Sequence, residues 1–181
     1  ACTSLTSIGV PPNWFSVNWK TGKIGYSDRQ GDGSRDLTFD ASRVMWRMGL
    51  DAALGSERAK QYLLAHPFLL NYWQQHHKMP TGFTWKGKPI DGDSTGFQRG
   101  GVLVLNHIHQ PTYSREQYRK LFAQSFHAGG YWFNDYNEYL HSVIWFSLYS
   151  VYALDTYPTS TILAKNAPSR PQKLESNQSV K

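Results

Sequence analysis

The chain alternates between stretches with apolar residues at helical spacing and stretches dominated by Gly, Pro, Asn, Asp and Ser. Residues 1 to 37 are of the second kind. Pro11-Pro12-Asn13 and Gly31-Asp32-Gly33-Ser34 are turn sequences, and the segment reads as a long structured loop punctuated by aromatics, with room for one short helix near its start. From Asp40 the texture changes: Val44, Met45, Met48, Ala52 and Leu54 recur near helical spacing and Gly55 supplies a C-terminal stop, which predicts a first helix. Ser56 is suited to cap a second helix running to about His76. Pro67 must kink or split that helix, because proline lacks the amide hydrogen and its ring collides with the preceding turn.

Residues 77 to 96 return to Gly, Pro and Asp, in Met79-Pro80-Thr81-Gly82 and Asp91-Gly92-Asp93-Ser94, and form a second long loop. Residues 97 to 109 are apolar, with a Gly100-Gly101 pair that lets helices approach closely. Ser114 with Gln117 makes a capping box opening a helix to about Ala128, which Gly129-Gly130 then ends. From Tyr136 to Leu154 nearly every helical face carries an apolar or aromatic residue, the pattern of a helix enclosed by other helices. Strand signals are weak. The predicted fold class is all-α, built of helical hairpins about 40 to 50 residues long, as in solenoids and toroids.

A length of 181 residues suits one domain with a real core, and 15% aromatic against 18% charged residues fits a globular chain rather than a disordered one. The single Cys2 excludes an intrachain disulfide framework and a cysteine-rich zinc module. No apolar run reaches the ~18 residues of a membrane span. The opening Ala1-Cys2-Thr3-Ser4 has neither an initiating Met nor a signal pattern, so the sequence reads as beginning within a longer protein. About half of the net charge of +6 sits in the last segment, where Lys165, Arg170, Lys173 and Lys181 face only Glu175. Its Pro, Ser, Asn and Gln cannot bury enough surface to fold, so residues 159 to 181 are expected to be a disordered basic tail and residues 1 to 158 the folded part. The body lacks a Lys/Arg stripe, which argues against a nucleic-acid partner.

Several aromatics lie in loops: Trp14, Phe15, Trp19, Tyr26, Phe83 and Trp85. One such ring commonly pins its loop to the body. A cluster of them also suits a glycan groove, because sugar rings present apolar C–H faces that stack on indole and phenol planes. Among the few carboxylates, Asp40 stands where polar loop becomes helix, with Arg43 at i+3 and Arg47 at i+7 able to lie on its side. Two accounts follow. Asp40 is an N-cap accepting backbone N–H bonds, or a carboxylate kept ionised so as to activate water, the base's task in glycoside hydrolysis. Asp91 and Asp93 read as a turn, and His76-His77 and His107-x-His109 lack the spacing of a zinc helix. No metal and no cofactor are assigned, and neither a phosphate loop nor a nucleophile elbow is present.

The run Thr38-Phe39-Asp40-Ala41-Ser42-Arg43-Val44-Met45-Trp46-Arg47-Met48-Gly49-Leu50-Asp51 resembles the Tyr-Asp-Ala-Ser-Arg-x-x-Trp-Arg signature of glycoside hydrolase family 8. Gly9-Val10-Pro11-Pro12-Asn13-Trp14 is similar to that family's Pro-Asp-Trp loop, and Tyr131-Trp132-Phe133-Asn134-Asp135-Tyr136 to the segment opening a late helix. The resemblance spans roughly residues 9 to 155. It implies an (α/α)6 toroid and inverting endo-hydrolysis of a β-1,4-linked glucan or a related xylan or chitosan, by a secreted or periplasmic enzyme. Asp40 would be the general base. Trp14, Trp19, Phe39 and Arg43 would bind substrate, supported by Trp46, Arg47 and Asp135. Phe39 stands where the family has Tyr, and no Glu precedes Asp40 to match the family's general acid. The resemblance therefore implies the C-terminal half of a toroid, whose N-terminal half would be its partner and would bring the acid; this chain alone is expected to be weak or inactive. The rival expectation is a non-catalytic glycan-binding or assembly protein derived from such an enzyme.

Overall fold

In the computed structural model, residues 2–27, 31–90, 92, 96–132 and 138–156 are described. The expected cap at Asp135, the Asp91/Asp93 pair and the basic tail lie outside them. The fold is mostly helical. Among the described residues six α-helices, α1 (Phe39–Ala53), α2 (Glu57–Ala65), α3 (Phe68–His76), α4 (Gly96–His109), α5 (Ser114–Leu121) and α6 (Glu138–Thr156), are accompanied by three two-stranded antiparallel ribbons. The ribbons pair β1 (Phe15–Val17) with β2 (Ile24–Tyr26), β3 (Gly82–Phe83) with β4 (Pro89–Ile90), and β5 (Phe126–His127) with β6 (Tyr131–Trp132). No described helix is long and apolar enough to cross a membrane.

Local chemistry sets the first boundaries as the sequence predicts. Gly55, at φ +102°, follows the end of α1 in a conformation that side-chain-bearing residues rarely adopt. The Ser56 hydroxyl accepts from the Ala59 amide at 3.2 Å, capping α2. Pro67 splits the second helical stretch into α2 and α3.

The expected helix from Ser114 to Ala128 is cut short. It stops at Leu121, after which Phe122 leaves helical geometry (φ −133°, ψ −45°) and sinks fully into the core. Gly129-Gly130 turns the β5–β6 ribbon instead of ending a helix, with Gly130 at φ +85°. The Gln117 amide oxygen accepts from the Trp73 indole at 3.1 Å. Burying these aromatics outweighs another turn of helix.

α1, α4 and α6 run parallel. Their starts meet through Phe39, Phe97 and Tyr139. Their middles meet where a Cβ on Gly101 would come within 3.1 Å of Met45 Cγ, and where the Ser150 hydroxyl lies 2.8 Å from the Trp46 carbonyl it can donate to. The ends of α4 and α6 meet at His107 and Asp155. Met45, Leu69, Leu103, Leu105, Phe122 and Ile144 form a sealed core, and each of the three helices touches the other two.

His107 is buried, its Nε2 3.3 Å from the mostly exposed Asp155 carboxylate, while Arg119 of α5 lines the same groove as Asp155. Burial pushes the imidazole below its ordinary value of 6.5, and the Asp155 charge opposes this in part. The unfolded chain therefore takes up this proton at a higher pH than the folded one, so stability is full above about pH 6.5 and declines as the pH falls through that window. Urea unfolding at pH 7.5 and pH 5 is expected to show the decline, and His107→Gln to make it smaller. An unchanged pH dependence in that variant would remove His107 as its source.

Candidate active site

The start of α1 is assembled by three segments distant in sequence. The Asn13 side-chain oxygen accepts from the amides of Thr38 (3.2 Å) and Ala41 (3.0 Å), and its NH2 donates to the Gly33 carbonyl (3.3 Å) and to the Thr38 hydroxyl. Leu37 exchanges backbone bonds with Phe83 at 2.8 and 2.9 Å, and the Asp36 carboxylate accepts from the Trp85 amide at 3.1 Å. Gly82 makes this approach possible, since a Cβ there would lie 2.6 Å from the Leu37 carbonyl oxygen.

Thr38, not Asp40, occupies the N-cap position, and its own side chain makes no capping bond because Asn13 serves the amides. Asp40 lies in the first turn, its side chain 29% exposed and ion-paired with Arg43. The capping account of Asp40 is thereby overturned: a remote asparagine has taken that work. An anionic carboxylate here also faces the positive end of the α1 dipole.

Around Asp40 the structure gathers side chains from all three parallel helices. Phe39 meets Phe97 edge-on with centroids 5.1 Å apart, and Tyr139 lies 5.4 Å from Phe97. The Tyr139 hydroxyl donates to the Phe39 carbonyl at 3.4 Å, and the Arg43 guanidinium stands 5.8 Å from the Tyr139 ring. Burial raises the Tyr139 phenol above its ordinary value; Arg43 and Arg47 pull it down and Asp40 pushes it up. The phenol therefore stays a hydrogen-bond donor at neutral pH, directed at the carbonyl of the residue before Asp40.

Of the residues expected at the site, Asp40, Phe39 and Arg43 stand together. Arg47 does not join the Asp40 ion pair among the described residues; it lies over the Trp46 ring at 5.2 Å, and Trp46 stacks on Phe146 at 4.6 Å. Trp14 follows Asn13 and is tied by its amide to the Ser34 carbonyl, beside the α1 start. Trp19 is 85% exposed in the turn joining β1 and β2, where Lys20 lies over its ring, and no described contact links it to Asp40. Phe83 is a core residue rather than a groove aromatic, packed edge-on against Phe68 and Tyr72.

Sequence reasoning missed three contributors: Asn13 as the cap, and Phe97 and Tyr139 as site rings. Asn13 carries a recognisable signal, an amide side chain suited to capping. Phe97 and Tyr139 carry none, because their place depends on helices converging in space. No family model, no curated protein and no solved structure matches this chain.

Proposed function

We infer that the chain carries the base side of an inverting glycoside-hydrolysing site for a β-1,4-linked glucan, with Asp40 as the general base. One observation carries the reading. The Asp40 carboxylate is released from capping by Asn13 and stands part-exposed beside Arg43 where the starts of three parallel helices converge among aromatic rings. Such a carboxylate can orient and deprotonate water, and the Phe39 and Tyr139 rings offer apolar faces and a hydroxyl to a sugar.

Inversion needs a second carboxyl group about 6.5–9.5 Å away to protonate the leaving oxygen. In this reading that acid is a Glu of a preceding helical half, and the parent fold is an (α/α)6 toroid. What supports it is that α1, α4 and α6 run parallel with segments returning between them, as the inner helices of such a ring do. Closing a ring of six requires α1 and α6 to part, because here they pack on each other.

Phe39 favours a second reading, glycan binding without turnover. Its ring is about half exposed at the site and brings no hydroxyl to hold a water. Pure 181-residue chain is expected to release no reducing sugar from soluble β-glucan above a blank, yet to bind cello-oligosaccharides in calorimetry. Asp40→Asn is expected to keep that affinity within about threefold. Robust hydrolysis by the chain alone would overturn the assignment of the acid to another segment, and absence of oligosaccharide binding at millimolar concentration would overturn both readings.

A further inference from the structure

α6 is apolar on nearly all faces, yet among the described residues one side of it is only partly covered, Phe146 by Trp46 and Trp145 by Trp132. Trp145 (60% exposed), Phe146 (47%), Tyr149 (54%) and Tyr152 (59%) form a stripe over two turns. Beneath its flank the buried Trp132 meets Trp145 edge-on at 5.3 Å and packs on its other side against the half-exposed Phe126. With roughly 200 Å² for an aromatic side chain, these four leave about 450 Å² of ring surface open on a single helix. Patches of that size on a soluble protein commonly mark a contact site.

We propose that this face pairs with the same face of a second copy of the chain, α6 against α6 in antiparallel fashion about a two-fold axis. Three features favour a like partner. First, the stripe is uncharged between Glu138 and Asp155, so the positive net charge of the chain lies elsewhere and does not oppose pairing here. Second, the spacing is self-complementary. An axis passing between Leu148 and Tyr149 sets Trp145 of one copy opposite Tyr152 of the other and repeats that pair on the far side, as a closed isologous interface requires. Tyr152 borders a groove of about 550 Å³ whose wall is apolar at Leu103, Tyr118, Leu148 and Val151 and charged at Arg119 and Asp155, a seat for the incoming indole on its apolar side. Third, two such stripes bury about 900 Å² from the rings alone, and Phe126 with the flanking atoms takes the total past the ~1,000 Å² of a specific interface. A carbohydrate partner would leave the apolar edges of the stripe wet, and the charged groups at its margin, Arg119 and Asp155, are of opposite sign and do not favour a partner of either charge.

The pairing does not rest on Asp40 chemistry, but it competes with the toroid of the proposed function, whose preceding half would be the other occupant of this face. Light scattering on the full chain at tens of micromolar is expected to give twice the 20.7 kDa chain mass. Tyr149→Glu is expected to weaken association more than tenfold, whereas Trp19→Ala, on a different exposed ring, leaves it unchanged. In case Tyr149→Glu fails to fold, a Cys2→Ser/Tyr149→Cys chain supplies a second readout. Residue 149 then lies beside its own copy across the axis, and oxidised glutathione is expected to link the two covalently. A monomeric native chain, a dimer indifferent to Tyr149→Glu, or no link through position 149 would each overturn the proposal. So would a monomer in which cello-oligosaccharide quenches Trp145, the result for a sugar platform. A preceding helical segment that holds the extended chain monomeric would likewise show that this face belongs to that segment.

Discussion

A Gly100→Leu chain is expected to lose about 3 kcal/mol or more of folding stability, the cost of forcing α4 and α6 apart. A Cβ at position 100 would already lie 2.3 Å from the Ser147 hydroxyl oxygen and 2.9 Å from its Cβ. The hydroxyl can rotate, at the expense of its bond to the Val143 carbonyl, but the Ser147 Cβ cannot retreat without moving α6. Two effects compete for a small substituent. Leaving glycine gains about 1 kcal/mol of helix propensity, while overpacking costs about 1–3 kcal/mol. Gly100→Ala is thus expected to be mildly destabilising, and adding Ser147→Gly to recover most of that loss. Leucine brings three further carbons and no further propensity, so the steric effect wins. For a chain of this length each kcal/mol lowers Tm by roughly 2–4 °C, giving a fall of roughly 6–12 °C in a circular dichroism melt. A Gly100→Leu protein melting within about 2 °C of the parent would mean that α4 and α6 do not touch there.

The second large effect is expected at Asn13, a residue with no place in a hydrophobic core. Asn13→Ala removes four hydrogen bonds at once and leaves the Thr38 and Ala41 amides at the start of α1 without their acceptor. Loss of a helix cap costs typically about 1 kcal/mol and up to about 2, and unsatisfied part-buried groups add to it, so a total of about 2–3 kcal/mol is expected in urea unfolding. Asn13→Asp keeps the acceptor for both amides but cannot donate to the Gly33 carbonyl, and is expected to lose about half as much. The consequence extends to the site. With the first turn frayed, the Phe39 ring and the carbonyl that Tyr139 donates to are no longer held in place, and oligosaccharide affinity is expected to fall several-fold in Asn13→Ala while Asp40→Asn, which leaves both, keeps it nearly intact. Equal stability of the alanine and parent chains would show that Thr38 caps its own helix.

The parts of the fold legible in the sequence are those decided by a few adjacent residues. Ser56 caps, Pro67 breaks and Gly55 stops because each acts through its own backbone dihedrals and the amides within reach. The Gly100-Gly101 pair marks a close helix approach for the same reason: a missing side chain is visible in one dimension. The α5 region was less legible. Its Ser114/Gln117 spacing describes a helix start, yet the end depended on Phe122 finding the core and on Gln117 finding Trp73. The short ribbons were equally hidden, since pairs of two or three residues carry too little alternation to register as strands.

By itself the sequence determined a mostly helical chain and the order of its helices. It also placed Asp40 and Arg43 on one helical start, and all of this follows from interactions a few residues long. Tertiary structure alone decided what Asp40 is free to do, because its helix is capped by a side chain 28 residues before Ala41. It decided equally that Phe97 and Tyr139 join Phe39 beside Asp40, through helices that converge only in space. The same holds for α6, whose composition predicts enclosure on every side but whose Trp145–Tyr152 face stands open. An apolar pattern states that a surface favours leaving water; which surface covers it is settled by the partner that arrives.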